Sequence, residues 1–193
     1  FYRQFIPRPI AAYFKRELPI GATWGVPLPM CYPAHRAPTP TPQREVRLMY
    51  HATDHGGNTP GIPRRIMVEK FRAAIPDDQL DVALYPSQQN RPTPEEYHAR
   101  MATALVGVSW NGAPNWDCNR TWENFAFGLA QAMERPRIQI PNAPVDGVHC
   151  YYGDTPEEVA DLAIMLMRAP EHAMQIAKTG YDHFLAYHSS AAR

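Results

Sequence analysis

The fold of this chain is decided by the sequence Asn119-Arg120-Thr121-Trp122-Glu123-Asn124-Phe125-Ala126-Phe127-Gly128. It follows the apolar run Ala104-Leu105-Val106-Gly107-Val108-Ser109-Trp110 and a loop rich in Gly, Pro and Asn. This order predicts a buried strand, a loop and a helix. Arg120 in the first helical turn and Glu123 one turn later would then lie beside free backbone N–H groups. Nucleotide diphosphates bind in such a setting, because helix N-termini attract phosphate and carboxylates accept hydrogen bonds from ribose hydroxyls.

The simpler interpretation of the same residues is an intrahelical ion pair between Arg120 and Glu123. The elements on either side favour the ligand site. Apolar runs predict strands at residues 46–52, 81–86, 105–110, 137–141 and 148–152. Strands that alternate with helices predict a Rossmann-like α/β fold, a parallel sheet with helices on both faces.

The predicted helices have clear start signals. One begins at Pro63, one follows the cap Thr93-Pro94-Glu95-Glu96, one begins near Arg120 and one follows Asp154-Thr155-Pro156. The last covers residues 170–188, with Gly180 as a break or a kink. In the helix from Arg120, a buried stripe is predicted at Trp122, Phe125, Ala126, Leu129 and Met133.

Proline divides the chain into two parts. Many of its 21 prolines lie before Arg44, where extended or polyproline conformations are favoured over regular helix. We therefore expect residues 1–43 to form an extended arm, or the remnant of an amino-terminal domain or linker. Residues 44–193 would form the Rossmann-like domain.

Composition excludes several classes of partner. The formal net charge is zero, with 19 basic and 19 acidic residues, so no basic surface for nucleic acid is expected. No apolar run is long enough to span a bilayer. No signal peptide is evident, and three cysteines without C-x-x-C spacing fit a reducing compartment, so we expect a cytoplasmic protein.

Ligands of doubly wound sheets bind at the carboxyl ends of the strands. The loops at residues 51–61, 110–120 and 141–148 are therefore the candidates, although each would be an ordinary surface loop without a ligand. The predicted substrate-binding residues are His55, Gly56 and Arg64 near the first loop and Trp110, Asn111, Gly112, Asn119, Arg120, Thr121 and Glu123 near the second. Trp110 could stack on a base or sugar ring.

A metal-dependent hydrolase is a further alternative. His51, Asp54 and His55 supply three possible ligands, but they straddle a strand end and a loop instead of lying on one helix face. We therefore predict no metal, and a histidine that polarises a phosphate or a sugar hydroxyl instead.

Taken in order, these motifs resemble the carboxyl-terminal half of GT-B glycosyltransferases, in particular the group related to spore-maturation proteins with a glycosyl transferases group 1 domain. The segment Asn119–Glu123 with Gly128 is similar to that family's R-x-x-E helix ending in glycine. Asp154-Thr155-Pro156-Glu157-Glu158 is similar to its D-x-x-E-L helix start. A third similarity is to the family's closing A-x-x-G … H-T … R, in Ile176-Ala177-Lys178-Thr179-Gly180 with the later His183, His188 and Arg193. A fourth is to the segment that leaves the amino-terminal domain in these enzymes, in Tyr13-Phe14-Lys15-Arg16-Glu17-Leu18.

The resemblance implies two Rossmann-like domains, with a nucleotide-sugar donor held mainly by the second. Glu123 would bind the donor ribose, and Arg120 with the helix N-terminus would meet the diphosphate. The donor is a substrate, and no cofactor is implied. The acceptor would be a glycan, a protein or a small molecule. We expect this chain to lack most of the first domain, which usually carries the catalytic base, so a missing domain or a partner chain would have to supply it.

The alternative hypothesis is a non-catalytic module of the same fold whose Pro-rich arm docks a partner.

Overall fold

The computed structural model describes residues 14–15, 17–28, 30–36, 39–40, 44–54, 62–86, 90–110 and 118–192. The centre of the fold is a sheet of five parallel strands, which are β3 (Glu45–Thr53), β4 (Leu80–Tyr85), β5 (Ala104–Ser109), β6 (Ala130–Glu134) and β7 (Tyr151–Gly153). Their order across the sheet is β4-β3-β5-β6-β7. The predicted parallel α/β sheet is confirmed.

Five helices cover the two faces of this sheet within the described residues. They are α1 (Ile62–Ala74), α2 (Pro94–Thr103), α3 (Asn119–Ala126), α4 (Pro156–Arg168) and α5 (Pro170–Tyr187). Helices α1 and α4 pack together in one apolar core, whereas α2 and α3 contribute to a second core. Successive residues of β3 serve the two cores alternately, with Leu48 and Tyr50 in the first and Met49 in the second. Helices therefore lie on both faces, as predicted.

The predicted helix from Arg120 is too long. Helix α3 ends at Ala126, and Gly128 follows with a φ of 64°. The Gly128 N–H donates to the Phe125 carbonyl and the Leu129 N–H to the Asn124 carbonyl, both at 2.9 Å, which is the Schellman arrangement. Leu129 and Met133 are buried as predicted, but Met133 belongs to β6 and not to the helix.

The strand predicted at residues 137–141 is also wrong. This segment carries an isolated antiparallel bridge between Ile138 and Pro19 and no strand. Gln139 instead holds an earlier part of the chain, since its Nε2 donates to the Pro19 carbonyl at 2.8 Å and to the Ala22 carbonyl at 2.7 Å. The strand next to β5 is β6, which lies directly after the Gly128 turn.

Gly180 does not break the last helix, because α5 continues through it. A Cβ atom at this position would lie 2.6 Å from the His149 carbonyl oxygen and 3.0 Å from the Phe125 ring. The absence of a side chain therefore allows α5 to approach α3 and the loop before β7.

Parts of the Pro-rich segment contact the domain. Strands β1 (Phe14–Lys15) and β2 (Val26–Pro27) form a small parallel sheet. Leu18 is fully buried and Tyr32 is 7% exposed. The proposed boundary at residue 43 stays a prediction. No helix in the described part of the chain combines the length and the apolar character that a membrane crossing requires.

Candidate functional site

The strand order places a crevice between β3 and β5. The chain leaves β3 towards α1 on one face and leaves β5 towards α3 on the other. In an open parallel sheet, the carboxyl ends of two such strands form the topological switch point, where ligands bind. Thr53 and Ser109 are the last residues of these strands.

A cavity of about 340 Å³ opens at this end of the sheet. Its volume is at the lower end of the range for small-molecule sites. It is lined by side chains from β3, from the end of β4, from the start of α2 and from the start of α3: His51, Tyr85, Arg91, Pro92, Pro94, Tyr97, His98, Arg120 and Glu123. Two arginines and two histidines face one carboxylate here, so the cavity favours an anionic ligand that also offers hydroxyl groups.

The start of α2 is held by its capping residues. The Thr93 hydroxyl accepts from the Glu96 N–H at 3.3 Å, and the Glu96 carboxylate accepts from the Thr93 N–H at 2.9 Å. This reciprocal capping box fixes the first helical turn, which carries Tyr97 and His98 into the cavity wall. Arg91 precedes the cap and donates from its Nη2 to the Thr53 hydroxyl, so it is anchored to the end of β3.

Helix α3 is seated closely on β5. The hydroxyl oxygens of Thr121 and Ser109 lie 2.8 Å apart, and Trp122 and Phe125 are each 1% exposed. A Cβ atom at Gly107 would lie 2.9 Å from Asn124 Cγ, so the helix could not approach this strand over a larger residue. Because α3 packs closely on β5 in this way, Arg120 and Glu123 line the cavity.

Arg120 is a half-buried cation. Its guanidinium carbon lies 5.7 Å from the centroid of the Tyr50 ring, within the range of a cation–π interaction. Burial opposes its charged form, but interactions with Tyr97, Cys118 and Tyr50 hold the pKa of Arg120 above its ordinary value. Its Nε atom is buried and has no hydrogen-bond partner among the described residues. A buried donor without a partner is costly, so this nitrogen is an unsatisfied polar group next to the cavity wall.

Glu123 lies near Arg120, His98 and Arg91. Burial raises the pKa of its carboxyl group, while Arg120, His98 and Arg91 act in the opposite direction. The salt bridges within the described residues do not include an Arg120–Glu123 pair. The intrahelical ion pair considered from the sequence is thus not formed, and both groups face the cavity.

His51 is held between two residues of β4. It is 4% exposed, its Nε2 lies 2.7 Å from Asp81 Oδ1, and its Nδ1 lies 3.0 Å from the Tyr85 hydroxyl oxygen. Burial would raise the pKa of Asp81, but hydrogen bonding and charge from His51 and Arg100 hold it below its ordinary value. Asp54 pairs with Arg65 at 2.6 Å instead of approaching His51. Across the described ranges, no group of three or more His, Cys, Asp or Glu side chains is arranged to hold a metal ion.

The other predicted site residues have diverse positions. Thr121 is 5% exposed and is directed to Ser109, and Asn119 is the exposed first residue of α3. Trp110 is 6% exposed and belongs to the core on the α1 face, away from the cavity. Arg64 donates to the Thr53 carbonyl at 2.7 Å and does not line the cavity. His55, Gly56, Asn111 and Gly112 lie outside the described residues.

Several residues of the cavity wall were not predicted. Arg91, Tyr97 and His98 follow β4, whose loop was not among the three candidate loops. The same argument from strand ends would have found them, because Arg91 lies between the end of β4 and the cap at Thr93. The loop at residues 141–148 contributes nothing to the cavity wall; its Asn142 carbonyl accepts from His183 and His188, each at 2.8 Å.

Comparison with known proteins shows the family. The sequence profile of a family described as glycosyl transferase-like matches residues 64–193, which include every residue of the cavity wall but His51. The chain belongs to the glycosyl transferase-like family. The resemblance to glycosyltransferases seen in the sequence is thereby confirmed.

Among solved structures, this glycosyl transferase-like chain is similar to the carboxyl-terminal domain of a glycosyl transferase group 1 family protein from Francisella tularensis. The TM-score is 0.49 and the sequence identity 11%, over 75% of this chain and 86% of that one. The comparison with curated proteins gave no match.

Proposed function

We propose that this glycosyl transferase-like chain is the donor-binding, carboxyl-terminal half of a GT-B glycosyltransferase and binds a nucleotide-diphosphate sugar in the cavity at the switch point. The observation that carries the proposal is that Arg120, whose buried Nε has no partner among the described residues, lines the same cavity as Arg91 and Glu123. Two cations and one carboxylate match a ligand that joins a diphosphate to a ribose.

In this proposal each side chain has a separate task. Arg120 and Arg91 donate to the diphosphate oxygens, and Glu123 accepts from the ribose hydroxyls. During transfer, the bond between the anomeric carbon and the diphosphate oxygen breaks, and the diphosphate leaves with an additional negative charge. Arginines already oriented towards that oxygen would stabilise the charge as it develops, so that these cations take the part a metal ion plays elsewhere.

The acceptor side of the reaction is assigned to groups outside the cavity wall. The acceptor hydroxyl forms the new bond to the anomeric carbon and loses its proton to a base. We propose that an amino-terminal domain or a partner chain supplies that base and binds the acceptor, a glycan, a protein or a small molecule.

Calorimetry tests the donor site directly. We expect one of UDP-, GDP- or dTDP-glucose to bind, and Glu123→Gln to weaken that binding by about tenfold or more, since a hydrogen bond to a charged group is lost. Glu157→Gln is the matched control, because Glu157 is exposed in the first turn of α4. If none of the three nucleotide sugars binds, the donor site is refuted, and a non-catalytic module becomes the better description.

A further inference from the structure

Three side chains on one face of the sheet form a chain of hydrogen bonds that ends at the cavity. Within β4, Asp81 and Tyr85 lie on the same face as Ala83, because side chains alternate along a strand. His51 of β3 pairs in register with Ala83. The small alanine leaves room for the imidazole to contact residues on both sides. The order of contacts is therefore Tyr85, His51, Asp81 and then Arg100, whose Nη1 lies 3.0 Å from Asp81 Oδ1.

The direction of these hydrogen bonds follows from the chemistry of the groups. An ionised carboxylate only accepts, so His51 donates from Nε2 to Asp81. In neutral His51, Nδ1 is then an acceptor, and it takes the hydrogen of the Tyr85 hydroxyl. In protonated His51, Nδ1 is a donor to the Tyr85 oxygen. The Tyr85 hydroxyl hydrogen then no longer bonds to the imidazole and is free to point elsewhere. His51 and Tyr85 both line the cavity, so the released hydrogen can be directed to a ligand.

The surroundings are suited to this exchange. Asp81 keeps its charge because its pKa lies below its ordinary value. Burial raises the pKa of Tyr85, which keeps the phenol protonated. Tyr97, from α2, packs with its ring centroid 5.9 Å from that of His51. We call the hydrogen-bonded residues Tyr85, His51 and Asp81 the relay. The titratable and charged groups that face His51 or the cavity are Asp81 and Tyr85 from β4, Tyr97, His98 and Arg100 from α2, Arg91 before it, and Arg120 and Glu123 from α3.

We propose that Tyr85 is a ligand-binding residue that donates a hydrogen bond to the diphosphate, and that His51 is a positioning residue that acts through Tyr85 and takes up one proton from solvent when the ligand binds. No bond other than hydrogen bonds changes: the proton adds to Nδ1, and the phenolic hydrogen turns from Nδ1 to a phosphate oxygen. This inference rests on the proposed function. It goes further by making donor binding dependent on pH through a group that does not itself contact the ligand.

The test is calorimetry of the nucleotide sugar that binds, between pH 6 and pH 8, in two buffers of different ionisation enthalpy. A nucleotide sugar has no phosphate monoester, so ligand titration does not interfere. We expect proton uptake approaching one per ligand, and affinity that falls towards tenfold per pH unit in the upper part of the range, as linkage requires for one proton. Tyr85→Phe should abolish the uptake and weaken binding at pH 6 by about three- to tenfold.

Two further variants distinguish an effect on these hydrogen bonds from a general effect of substitution on the fold. His51→Gln retains a donor to Asp81 but cannot titrate, so its binding should be independent of pH. Tyr181→Phe, on α5 away from the cavity, should bind and take up protons as the unaltered chain does. Binding with no proton uptake, or the same uptake in Tyr85→Phe, overturns this inference and leaves the donor site intact. Absence of binding by any nucleotide sugar overturns both.

Discussion

The hydroxyl groups of Thr121 and Ser109 lie 2.8 Å apart in a buried contact between α3 and the end of β5. Each of them is the partner that the other requires, since a buried hydroxyl without a hydrogen bond is costly. The contact fixes the rotation of α3 about its axis. Arg120 and Glu123 reach the cavity because this turn of the helix is fixed.

Thr121→Val should therefore lower the free energy of unfolding by about 1–3 kcal/mol, because the Ser109 hydroxyl stays buried without its partner. Urea denaturation measures this. The double variant Ser109→Ala with Thr121→Val should cost less than the sum of the two single changes. Strict additivity of the two changes would show that the hydroxyls do not interact.

Arg120→Met should separate stability from binding. Contacts with Tyr97 and Tyr50 favour the charged guanidinium in the fold, and methionine fills similar space without those contacts. We expect the melting temperature to fall only slightly, while nucleotide-sugar affinity falls by about 10- to 100-fold. Arg72→Met, at an exposed position of α1, is the control for the loss of one positive charge. A variant that melts lower but binds normally would contradict the role of Arg120.

Glu123 should give the fold a characteristic dependence on pH. Its carboxyl pKa is raised in the folded state, chiefly by burial, so the folded chain binds this proton more tightly than the unfolded chain. Stability should therefore fall as the pH rises from the ordinary pKa of a glutamate, about 4.3, to the raised folded value.

Glu123→Gln removes this titration. Denaturation between pH 4 and pH 8 should show that the variant gains stability relative to the unaltered chain as the pH increases. A difference between the two proteins that does not change with pH would mean that Glu123 is not desolvated.

Gly180→Ala should destabilise the chain even though alanine is the better helix former. The added Cβ atom would meet the His149 carbonyl oxygen at 2.6 Å, and backbone at that distance must shift. We expect a loss of about 1–3 kcal/mol, which exceeds the gain of about 1 kcal/mol in helix propensity. Thermal melting distinguishes the two effects, since a higher melting temperature would show that the helix is not in close contact there.

The parts of the fold that could be predicted had local signals. The cap at Thr93, the strand at residues 105–110 and the start of α3 each depend on a few neighbouring residues. Residues 129–133 lacked such a signal, because Leu129 and Met133 continue the helical spacing of Trp122 and Phe125. Gly128 determines where the helix ends, since its positive φ turns the chain from α3 into β6.

The site was predictable only in part for a different reason. Arg120 and Glu123 follow from the position of one helix after one strand. Arg91, Tyr97 and His98 reach the same cavity because α2 crosses from β4 to β5, and that requires knowledge of the strand order. His98 also depends on a distant contact, since its Nε2 lies 3.3 Å from the Tyr32 hydroxyl oxygen.

Tyr32 also joins two distant parts of the chain, and this has a consequence for the order of folding. Its N–H donates to the His188 carbonyl, and its own carbonyl accepts from the Ser190 N–H, in a bridge with Ser189. Closing a loop from residue 32 to residue 189 has a large entropic cost, so this pairing should form after the sheet has assembled. The same bridge should be the first to open, and its amide protons should exchange with solvent before those of β3 and β5.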